Sequence, residues 1–568
     1  MDDARIAMKQ EQDHDCLHAS NHLPHLKVPR PHLLRPRTCH DPPHENAFSH
    51  TTRRHSCPHM PKPMLEKQIS VTALTNTAVS IFAASNLLLL HFLSPSGTAT
   101  LLSLLAATAL IALLIFRKAP TTPQTQTIPA TTLAGCVVIS LLIMLLGGQG
   151  SDGLFYRNID WQVRATLLKD LAAMPWPFHY QEHGINWILR APIGMYLIPA
   201  AMGNILPFNW VEAALLIQNT SILSITLALA STIFRPRERI IAAVIFVAFS
   251  GLDALGTLIT SPEMLKTPYS HLEWWAAPLQ YSSNITLAFW VPNHALPGWL
   301  GAVLFLLWHK DKASSQAFIL FVPLTALWSP LTLLGLLPFA GLVLYRHAFS
   351  RHALCRDVIA GLIGSSISAV ALAYLLTAPE SVGISISMPP FALYMLFQSL
   401  EVLPFVALLW LTHKSEPNGR ILTTTVAGML LLSPLIRIGI HSDFMMRASI
   451  PSLAILTYAT AQALARSAFG DESLGPPTKT KWAIILLAGI GSITPLHEIY
   501  RSIRFLPPPL SQCNLLATWN QTAFSESGKY GYFAQVDALP VWIQAAKSAA
   551  ILNEEPRPCW SREWNIPR

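Results

Sequence analysis

The sequence predicts an all-α fold: a polytopic transmembrane bundle of about thirteen helices, with its amino terminus in the cytoplasm and its carboxy terminus outside. Charged residues make up 12% of the 568 residues, about half the share of a typical soluble domain. The mean hydropathy is +0.39, and apolar runs long enough to cross a bilayer recur over most of the chain. This composition excludes a soluble enzyme, a nucleic-acid-binding protein and a disordered protein.

Residues 1–66 form a separate cytoplasmic tail, rich in His and Pro and without an apolar period. A segment that cannot bury an apolar core is predicted to be disordered. Its cysteines stand among the histidines, but their spacing matches no zinc pattern. Translation starting at Met60 or Met64, which would remove this tail, is the alternative. No short apolar stretch follows Met1, so we expect the first apolar run to act as an uncleaved signal-anchor.

The transmembrane domain is predicted over residues 67–497, and no fixed-period internal repeat is evident in it. The two short runs around Pro330 are the weakest of its spans. The predicted spans are 69–93, 98–116, 129–147, 207–233, 239–259, 286–308, 314–330, 331–345, 357–377, 391–412, 420–437, 448–467 and 482–497.

Lys and Arg set the predicted orientation, because positive residues are retained in cytoplasmic loops. With the amino terminus inside, the even-numbered turns carry fifteen Lys or Arg, against seven in the outside loops before the carboxy-terminal tail. The alternation holds at every turn, which favours an inside amino terminus and an outside carboxy terminus.

This topology leaves two larger outside loops, 148–206 and 259–285, and a small extracytoplasmic tail, 498–568. Cys513 and Cys559 are the only cysteines of that tail. An oxidising compartment permits them to pair, so a disulfide is favoured over two unpaired thiols.

The first outside loop carries many charges in a chain that otherwise avoids them. From Trp161 to Met174, apolar residues recur near helical spacing while Arg164 and Lys169 lie off that face, which predicts an amphipathic helix in the membrane interface. Asp160 stands just before this helix. It is either an N-cap that accepts backbone N–H bonds or a carboxylate that faces a cavity and takes a proton from an attacking hydroxyl.

The second polar segment joins the fifth and sixth predicted spans and interleaves polar groups with aromatic rings. Its candidates for substrate binding are His271, Glu273, Trp274, Asn293 and His294. Flat rings stack on sugar faces, while carboxylates and amides bind hydroxyls, so this pattern is typical of a sugar site. For Trp274, an aromatic belt at the membrane interface is an equal alternative.

A third outside turn is short and charged, with Arg437, Asp443 and Arg447. Two guanidiniums beside a membrane are suited to bind a phosphate bidentately. The alternative is that Asp443 pairs with one of the arginines and holds the turn. Glu401 lies near the middle of the tenth predicted span, and an acid inside the membrane is a functional hypothesis by default.

The segment NIDWQVRATLLKDLAAMPWPFHY stands where the GT-C superfamily of membrane glycosyltransferases has an acidic residue ahead of interfacial helices, and the chain resembles that superfamily in architecture. The segments HLEWWAAPLQYSSNITLAFWVPNHALPGWL, WSPLTLLGLLPF and HSDFMMRASIP also look like an uncharacterised family of bacterial integral membrane proteins, which brings no established reaction.

The GT-C resemblance implies a bacterial inner-membrane enzyme that takes a sugar from a polyprenyl-phosphate donor and gives it to an envelope glycan or lipid acceptor. It implies that Asp160 is the catalytic residue. The other site residues, assigned to substrate binding, are Arg164, His271, Glu273, Trp274, Asn293, His294, Arg437, Asp443 and Arg447. The chain departs from the superfamily pattern by two extra helices before the first large loop and by the lack of a paired-acid motif, so no cofactor is predicted and a divalent metal has no motif to support it.

Other functions stay open at the level of sequence. A transporter or flippase for a lipid-linked glycan or small solute is the main alternative, although no matching repeats are evident. No P-loop is found in the sequence, which disfavours ATP-driven transport by this chain alone. An enzyme similar to O-antigen ligases or polymerases, or a non-catalytic envelope assembly protein, completes the range.

Overall fold

The protein is known from a computed structural model. The predicted tail 1–66 lies outside the described residues, and the predicted span 98–116 is described only over 102–110, which is helical. The described residues are 67–94, 102–110, 126–150, 154–203, 205–377, 383–416, 418–438, 442–469, 478–522, 529–538, 550–552 and 557–561.

The described part of the chain is mainly helical. The helices are α1 Val71–Leu93, α2 Ala130–Leu146, α3 Trp161–Ala173, α4 Gly194–Ala201, α5 Phe208–Ser231, α6 Arg239–Ala248, α7 Asp253–Thr260, α8 Asn284–Trp290, α9 Pro292–His309, α10 Ser315–Leu324, α11 Pro330–His347, α12 Arg351–Leu375, α13 Phe391–Glu401, α14 Leu403–His413, α15 Gly419–Leu432, α16 Asp443–Ala448, α17 Ile450–Phe469, α18 Thr478–Gly491, α19 Ile493–Arg504, α20 Leu515–Asn520 and α21 Lys529–Tyr532.

The chain is a multi-pass membrane protein by the length and apolar character of its helices. Within the described residues, six helical segments are long and apolar enough to cross a bilayer, or seven when α13 and α14, bent by 42°, count as one span. Some of the other predicted spans fall on shorter apolar helices, such as α2 and α10. The total of thirteen spans and their orientation therefore stay predictions. The six segments are Val71–Leu93, Phe208–Ser231, Pro236–Thr260, Pro330–His347, Arg351–Leu375 and Thr480–Arg504.

Short strands join loops that are far apart in sequence. The strands are β1 Gln68–Ser70, β2 Thr127–Pro129, β3 Phe178–Glu182, β4 Ile185–Leu189, β5 Ile384–Ile386, β6 Ile436–Ile438, β7 Phe533–Gln535 and β8 Ala550–Leu552. The antiparallel pair β1–β2 joins the segment before α1 to the segment before α2, and the pair β5–β6 joins the loops that precede α13 and α16. The four-stranded sheet has the order β7-β4-β3-β8. Each sheet joins segments that the charge alternation assigns to one side of the membrane.

The four-stranded sheet ties the carboxy-terminal tail to the first outside loop. Strands β3 and β4 come from that loop, and β7 and β8 come from the tail. Cys513 and Cys559 form the disulfide that the sequence favoured, and it closes the tail on itself across 46 residues. The tail is therefore a cover that packs on the loop rather than a free extension.

The core lies where α1, α9, α10 and α11 meet, and large aromatic side chains fill it. Phe82 packs edge-on against Phe321 and lies 4.5 Å, between ring centroids, from Trp328. Trp299 packs edge-on against Phe246, and both tryptophans are fully buried. Edge-to-face pairs of this kind add about 0.5–1.5 kcal/mol each to the free energy of area burial.

The amphipathic helix predicted for the membrane interface is instead an internal helix. Helix α3 packs against α4, α5 and α20, and its residues are buried on nearly every side. Its polar face is covered by the tail: the Lys169 ammonium donates to the carbonyls of Ser511 and Cys513, and the Asp170 carboxylate accepts from the Leu515 amide. The sequence pattern was amphipathic because the cover is polar, and the prediction of an interfacial helix was wrong.

Candidate functional site

Helix α3 carries Arg164 into the protein, where its guanidinium meets side chains from two other elements. Nη1 donates to Asn293 Oδ1 at 2.6 Å and to the Tyr196 hydroxyl at 3.2 Å, and Nη2 lies 3.5 Å from Asp160 Oδ2. Burial lowers the pKa of Arg164, but Tyr196, Asp160 and Tyr532 outweigh it and raise the pKa above its usual value. The guanidinium is therefore a fixed positive charge, although Arg164 is only 6% exposed.

Asp160 stands at the N-cap position of α3 but does not cap it. Its backbone is helical and its carboxylate accepts no bond from the first-turn amides. The cap role is absent because the side chain turns along the helix to Arg164, one turn on. The start of α3 is held instead by Asn158 Nδ2 and Trp161 Nε1, which both donate to the Phe289 carbonyl at 2.8 Å. Asp160 keeps 23% of its side chain exposed, so its carboxylate is open to a ligand.

Asn293 and His294 begin α9 and extend the network away from Arg164. Asn293 Nδ2 donates to His294 Nε2 at 3.2 Å, and His294 Nδ1 lies 2.7 Å from Ser329 Oγ. An amide nitrogen can only donate, so Nε2 accepts and the hydrogen of the imidazole is on Nδ1. Ser329 in turn donates to Thr332 at 2.6 Å, and Thr332 donates to the Arg447 carbonyl at 3.3 Å. This chain connects Arg164 to the third outside turn.

Asp443 and Arg447 lie on α16 and pair with each other, with 2.6 Å between the carboxylate and guanidinium atoms. This is the pairing that the sequence left open as the alternative to phosphate binding. Both keep partial exposure, 29% for Asp443 and 18% for Arg447. The Arg447 guanidinium still has donors left, since five N–H groups are available on each.

Tyr532, from the tail, interacts electrostatically with Asp160, Arg164, Asp443 and Arg447. Its hydroxyl is therefore close to both charged pairs. Burial raises its pKa, opposed by the two arginines and aided by the two carboxylates. We call this set the Arg164 site, with the members Asp160, Arg164, Tyr196, Asn293, His294, Asp443, Arg447 and Tyr532.

Arg437 does not join the site. It lies in β6, opposite Ser385 of β5, and in the described part of the chain its side chain makes no hydrogen bond or ion pair to the site. Strand β6 nevertheless packs against α16, the helix that carries Arg447. That Arg437 and Arg447 bind one phosphate together therefore stays a prediction. Arg164 is a further guanidinium in this region, since Tyr532 interacts electrostatically with both Arg164 and Arg447.

His271 and Glu273 belong to a different region, which we call the His271 cluster, together with Trp290, Glu498 and Arg501. His271 Nδ1 lies 2.9 Å from Glu498 Oε1, and its Nε2 lies 3.3 Å from Glu273 Oε2. Arg501 pairs with the same Glu498 oxygen at 2.6 Å. Trp290 Nε1 donates to the other Glu498 oxygen at 3.0 Å.

The charges of the His271 cluster are enclosed and compensated. Burial alone would lower the pKa of His271, but Glu498 and Glu273 raise it to about 9. Glu273 also accepts from the Ser283 amide at 2.8 Å and from Gln280 Nε2 at 2.9 Å. The structure does not bring His271 and Glu273 together with Asn293 and His294, because the hydrogen-bonding atoms of His271 and Glu273 face a separate cluster and have protein partners there. That they bind a sugar stays a prediction.

Trp274 is the exposed edge of this cluster. Its side chain packs edge-on against His271 and Trp290, with ring centroids 5.2 and 6.1 Å apart, and it is 49% exposed. Its ring therefore covers the imidazole and presents one face outward. That position agrees with the interface-belt alternative better than with a place in the Arg164 site.

Sequence reasoning missed Tyr196, Tyr532 and Glu498. Tyr196 stands in an apolar segment that resembles core. The predicted boundary between 497 and 498 fell inside α19, so Glu498 and Arg501 were assigned to the tail. Their spacing of three residues, which places both on one helix face, was the signal that could have found them.

The Arg164 site combines a partly exposed carboxylate, two fixed guanidiniums and hydroxyl and amide donors. Such a set can take a proton from a hydroxyl and bind an anionic group beside it. Among the described residues, no group of three or more His, Cys, Asp or Glu could hold a metal ion. Comparison with protein-family models, curated proteins and solved structures finds no match to this chain.

Proposed function

We propose that the protein is a membrane glycosyltransferase that transfers a sugar from a polyprenyl-phosphate donor to an envelope glycan or lipid acceptor, on the outer face of the bacterial inner membrane. One observation carries the proposal: the Nε atom of Arg164 is buried and has no hydrogen-bond partner among the residues that the structure describes, next to the partly exposed Asp160. A buried N–H without an acceptor costs about 1–3 kcal/mol, so an anionic ligand oxygen at this point would supply the missing acceptor.

The reaction assigned to the site is a single displacement with inversion. Asp160 takes the proton of the acceptor hydroxyl as its oxygen attacks the anomeric carbon of the donor sugar. The bond between that carbon and the phosphate oxygen breaks, and the polyprenyl phosphate leaves with the electron pair. Arg164 and Arg447 stabilise the charge that develops on the leaving phosphate. Tyr532, which interacts with both arginines, would contact the same ligand, and Asn293 would hold the Arg164 guanidinium in place.

Access to the site follows the exposure of its charged groups. Asp160, Asp443 and Arg447 keep between 18% and 29% of their side chains exposed, whereas Arg164 keeps 8%. The substrate therefore approaches from the side of α16 and Tyr532, and Arg164 forms the inner wall. This supports a ligand that enters between the third outside turn and the tail.

A transporter is the second candidate, and a different observation favours it. Helices α13 and α14 form a span bent by 42°, and Glu401 lies at the break with 2% exposure. Interrupted helices with buried polar groups near the middle of the membrane are typical of secondary transporters. The two functions differ in whether a covalent product is formed.

The test is Asp160→Asn in the full-length protein, reconstituted in membranes with a panel of polyprenyl-phosphate sugars. Loss of the proton acceptor is expected to lower transfer about 10²–10⁴-fold. Because the side chain is partly exposed, the thermal unfolding midpoint is expected to change little. Asp537→Asn is the matched control, since Asp537 is an exposed acid of the tail, and it should retain full transfer.

Full activity of Asp160→Asn would remove Asp160 from the chemistry. If the unmodified protein forms no product with any donor of the panel but moves a labelled lipid-linked sugar across the vesicle membrane, the transporter replaces the enzyme.

A further inference from the structure

Three interrupted helices meet at Gly251. The first interruption, between α6 and α7, contains Ser250 and Gly251, and the break between α13 and α14 follows Glu401. A Cβ on residue 251 would overlap the Glu401 carboxylate, and a Cβ on Gly491, at the end of α18, would stand 2.8 Å from the Ser250 carbonyl. Only glycine lets the three backbones and the carboxylate approach this closely.

Glu401 is enclosed at this crossing and has no cation beside it. It is 2% exposed, and within the described residues neither of its carboxyl oxygens accepts a hydrogen bond of ordinary distance and angle. The polar groups that interact with it are the Trp275 indole and a second carboxyl, that of Asp253, which is 1% exposed. Asp253 accepts from Ser250 Oγ at 2.5 Å. A carboxyl can donate to another carboxyl only when it carries a proton.

The other two carboxyls of the region, those of Glu273 and Glu498, accept the hydrogen bonds expected of ionised carboxylates. Glu498 accepts from Arg501, His271 and Trp290. Glu273 accepts from a backbone amide and a side-chain amide and lies beside His271. Their donors match the demand of a carboxylate, so these two acids balance Arg501 and the imidazolium.

Charge balance leaves Asp253 and Glu401 without a cation. The titratable and charged groups that face the crossing from the surrounding elements are Asp253, His271, Glu273, Tyr281, Glu401, His497, Glu498 and Arg501. Tyr281 is neutral as a phenol and does not enter the charge count. With all four acids ionised, two positive charges stand against four negative ones. Burying an uncompensated carboxylate is so costly that the group takes up a proton instead.

We propose that Asp253 and Glu401 form a proton-binding site at the crossing of the interrupted helices. The two carboxyls hold hydrogen-bonded protons at neutral pH, and Glu273 and His271 connect them to the outer surface near Trp274. Release of the protons would place two negative charges side by side between three helix breaks. The protonation state of Asp253 and Glu401 is therefore linked to the packing of those breaks. This inference does not depend on glycosyl transfer, because it uses none of the residues of the Arg164 site.

The test is infrared spectroscopy of the full-length protein in lipid nanodiscs at neutral pH. The expected result is a carbonyl band of a protonated carboxylic acid that shifts in deuterated water. The band should be lost in part in Glu401→Gln and in Asp253→Asn, and fully in the double variant. Glu263→Gln is the matched control, because Glu263 is exposed, and it should leave the band unchanged.

The unmodified protein alone can overturn the proposal, so the test does not rely on a variant that folds. Absence of the band at neutral pH would show that both acids are ionised. Loss of the band on addition of sodium at constant pH would assign the site to a metal cation instead of a proton. A band that survives in the folded double variant would place the protonated acid elsewhere.

Discussion

The Arg164 site and the His271 cluster are both groups of charged side chains inside an otherwise apolar protein, but they use those charges differently. In the His271 cluster, His271, Glu273, Glu498 and Arg501 are between 1% and 7% exposed, and each acid meets a cation and further donors. In the Arg164 site, by contrast, three charged side chains stay partly exposed. Among the described residues, each region leaves one buried guanidinium Nε–H without an acceptor, that of Arg164 or that of Arg501, so exposure and not pairing separates the two regions. Enclosed charges that pair with one another are typical of a group that holds a fold together, whereas charged groups that stay partly exposed are open to a ligand.

The two regions share one wall. Phe289 and Trp290 are consecutive at the end of α8, and each serves one region: the Phe289 carbonyl accepts from the elements that position Asp160, and the Trp290 indole donates to Glu498. A substitution in the His271 cluster can therefore affect the Arg164 site through α8. We expect substitutions in the His271 cluster to change stability more than activity, and substitutions in the Arg164 site to change activity more than stability.

The largest expected effect is on stability, from Glu498→Gln. The change removes the acid that lies between His271 and Arg501 and leaves two buried cations facing each other. Breaking a buried pair by removing one partner costs about 3–5 kcal/mol, and the loss is measured as the change in the free energy of unfolding by denaturant titration in mixed micelles.

Glu263→Gln is the control for this change, since it removes one carboxylate charge from an exposed segment and should alter the free energy of unfolding by less than about 0.5 kcal/mol. If both variants change the free energy of unfolding by the same amount, Glu498 does not stabilise the His271 cluster, and the two regions do not differ in the way stated here.

Several parts of this contrast were within reach of the sequence. Arg164, Asn293, His294 and Arg447 come from separate segments and still lie in one network, as expected when charges cluster in outside loops of an apolar chain. The tail cysteines pair, as their isolation in a segment predicted to lie outside favoured. Each of these predictions used a strong local preference: charge avoids the membrane, and thiols pair in an oxidising compartment.

Other parts depend on contacts that sequence spacing does not encode. A ring beside polar residues can stack on a sugar or on another ring, and His271 packs on Trp274 and Trp290. Tyr532 reaches the Arg164 site because the tail returns to the first outside loop through a sheet. Pairing between strands this far apart follows from the tertiary fold, so no local pattern could have assigned Tyr532 to the site.

The second largest expected effect is a pH dependence of stability, which comes from the His271 cluster. The pKa of His271 is raised from the usual 6.5 to about 9 by its carboxylates, so the folded protein binds this proton more tightly than the unfolded chain. The stability from this linkage is fully present below the unfolded value and is lost as the pH rises through about 9. The difference amounts to roughly 3 kcal/mol, measured by unfolding at pH values on both sides of that window.

His271→Gln should remove this pH dependence, while His352→Gln, at an exposed histidine, should keep it. A wild-type stability that is flat between about pH 6.5 and about pH 9 would show that the imidazole is not held as a cation, and the charge balance of the closed cluster would be wrong.

The smallest effect on stability is expected from Asp443→Asn, and it gives the sharpest contrast between the two regions. The pair with Arg447 is partly exposed, so its loss should change the free energy of unfolding by about 0.2–1 kcal/mol, far less than Glu498→Gln. Removal of the carboxylate frees the Arg447 guanidinium for an anionic donor and also takes away a negative charge that repels phosphate. We therefore expect a lower KM for the polyprenyl-phosphate donor with little change in kcat, measured by transfer kinetics at saturating acceptor.

Arg447→Gln is the matched counterpart and should raise KM and lower kcat, because it removes a charge that stabilises the leaving phosphate. If Asp443→Asn destabilises the protein as much as Glu498→Gln does, then Asp443 and Arg447 hold the turn as the His271 cluster holds its helices, and the open character of the Arg164 site is disproved.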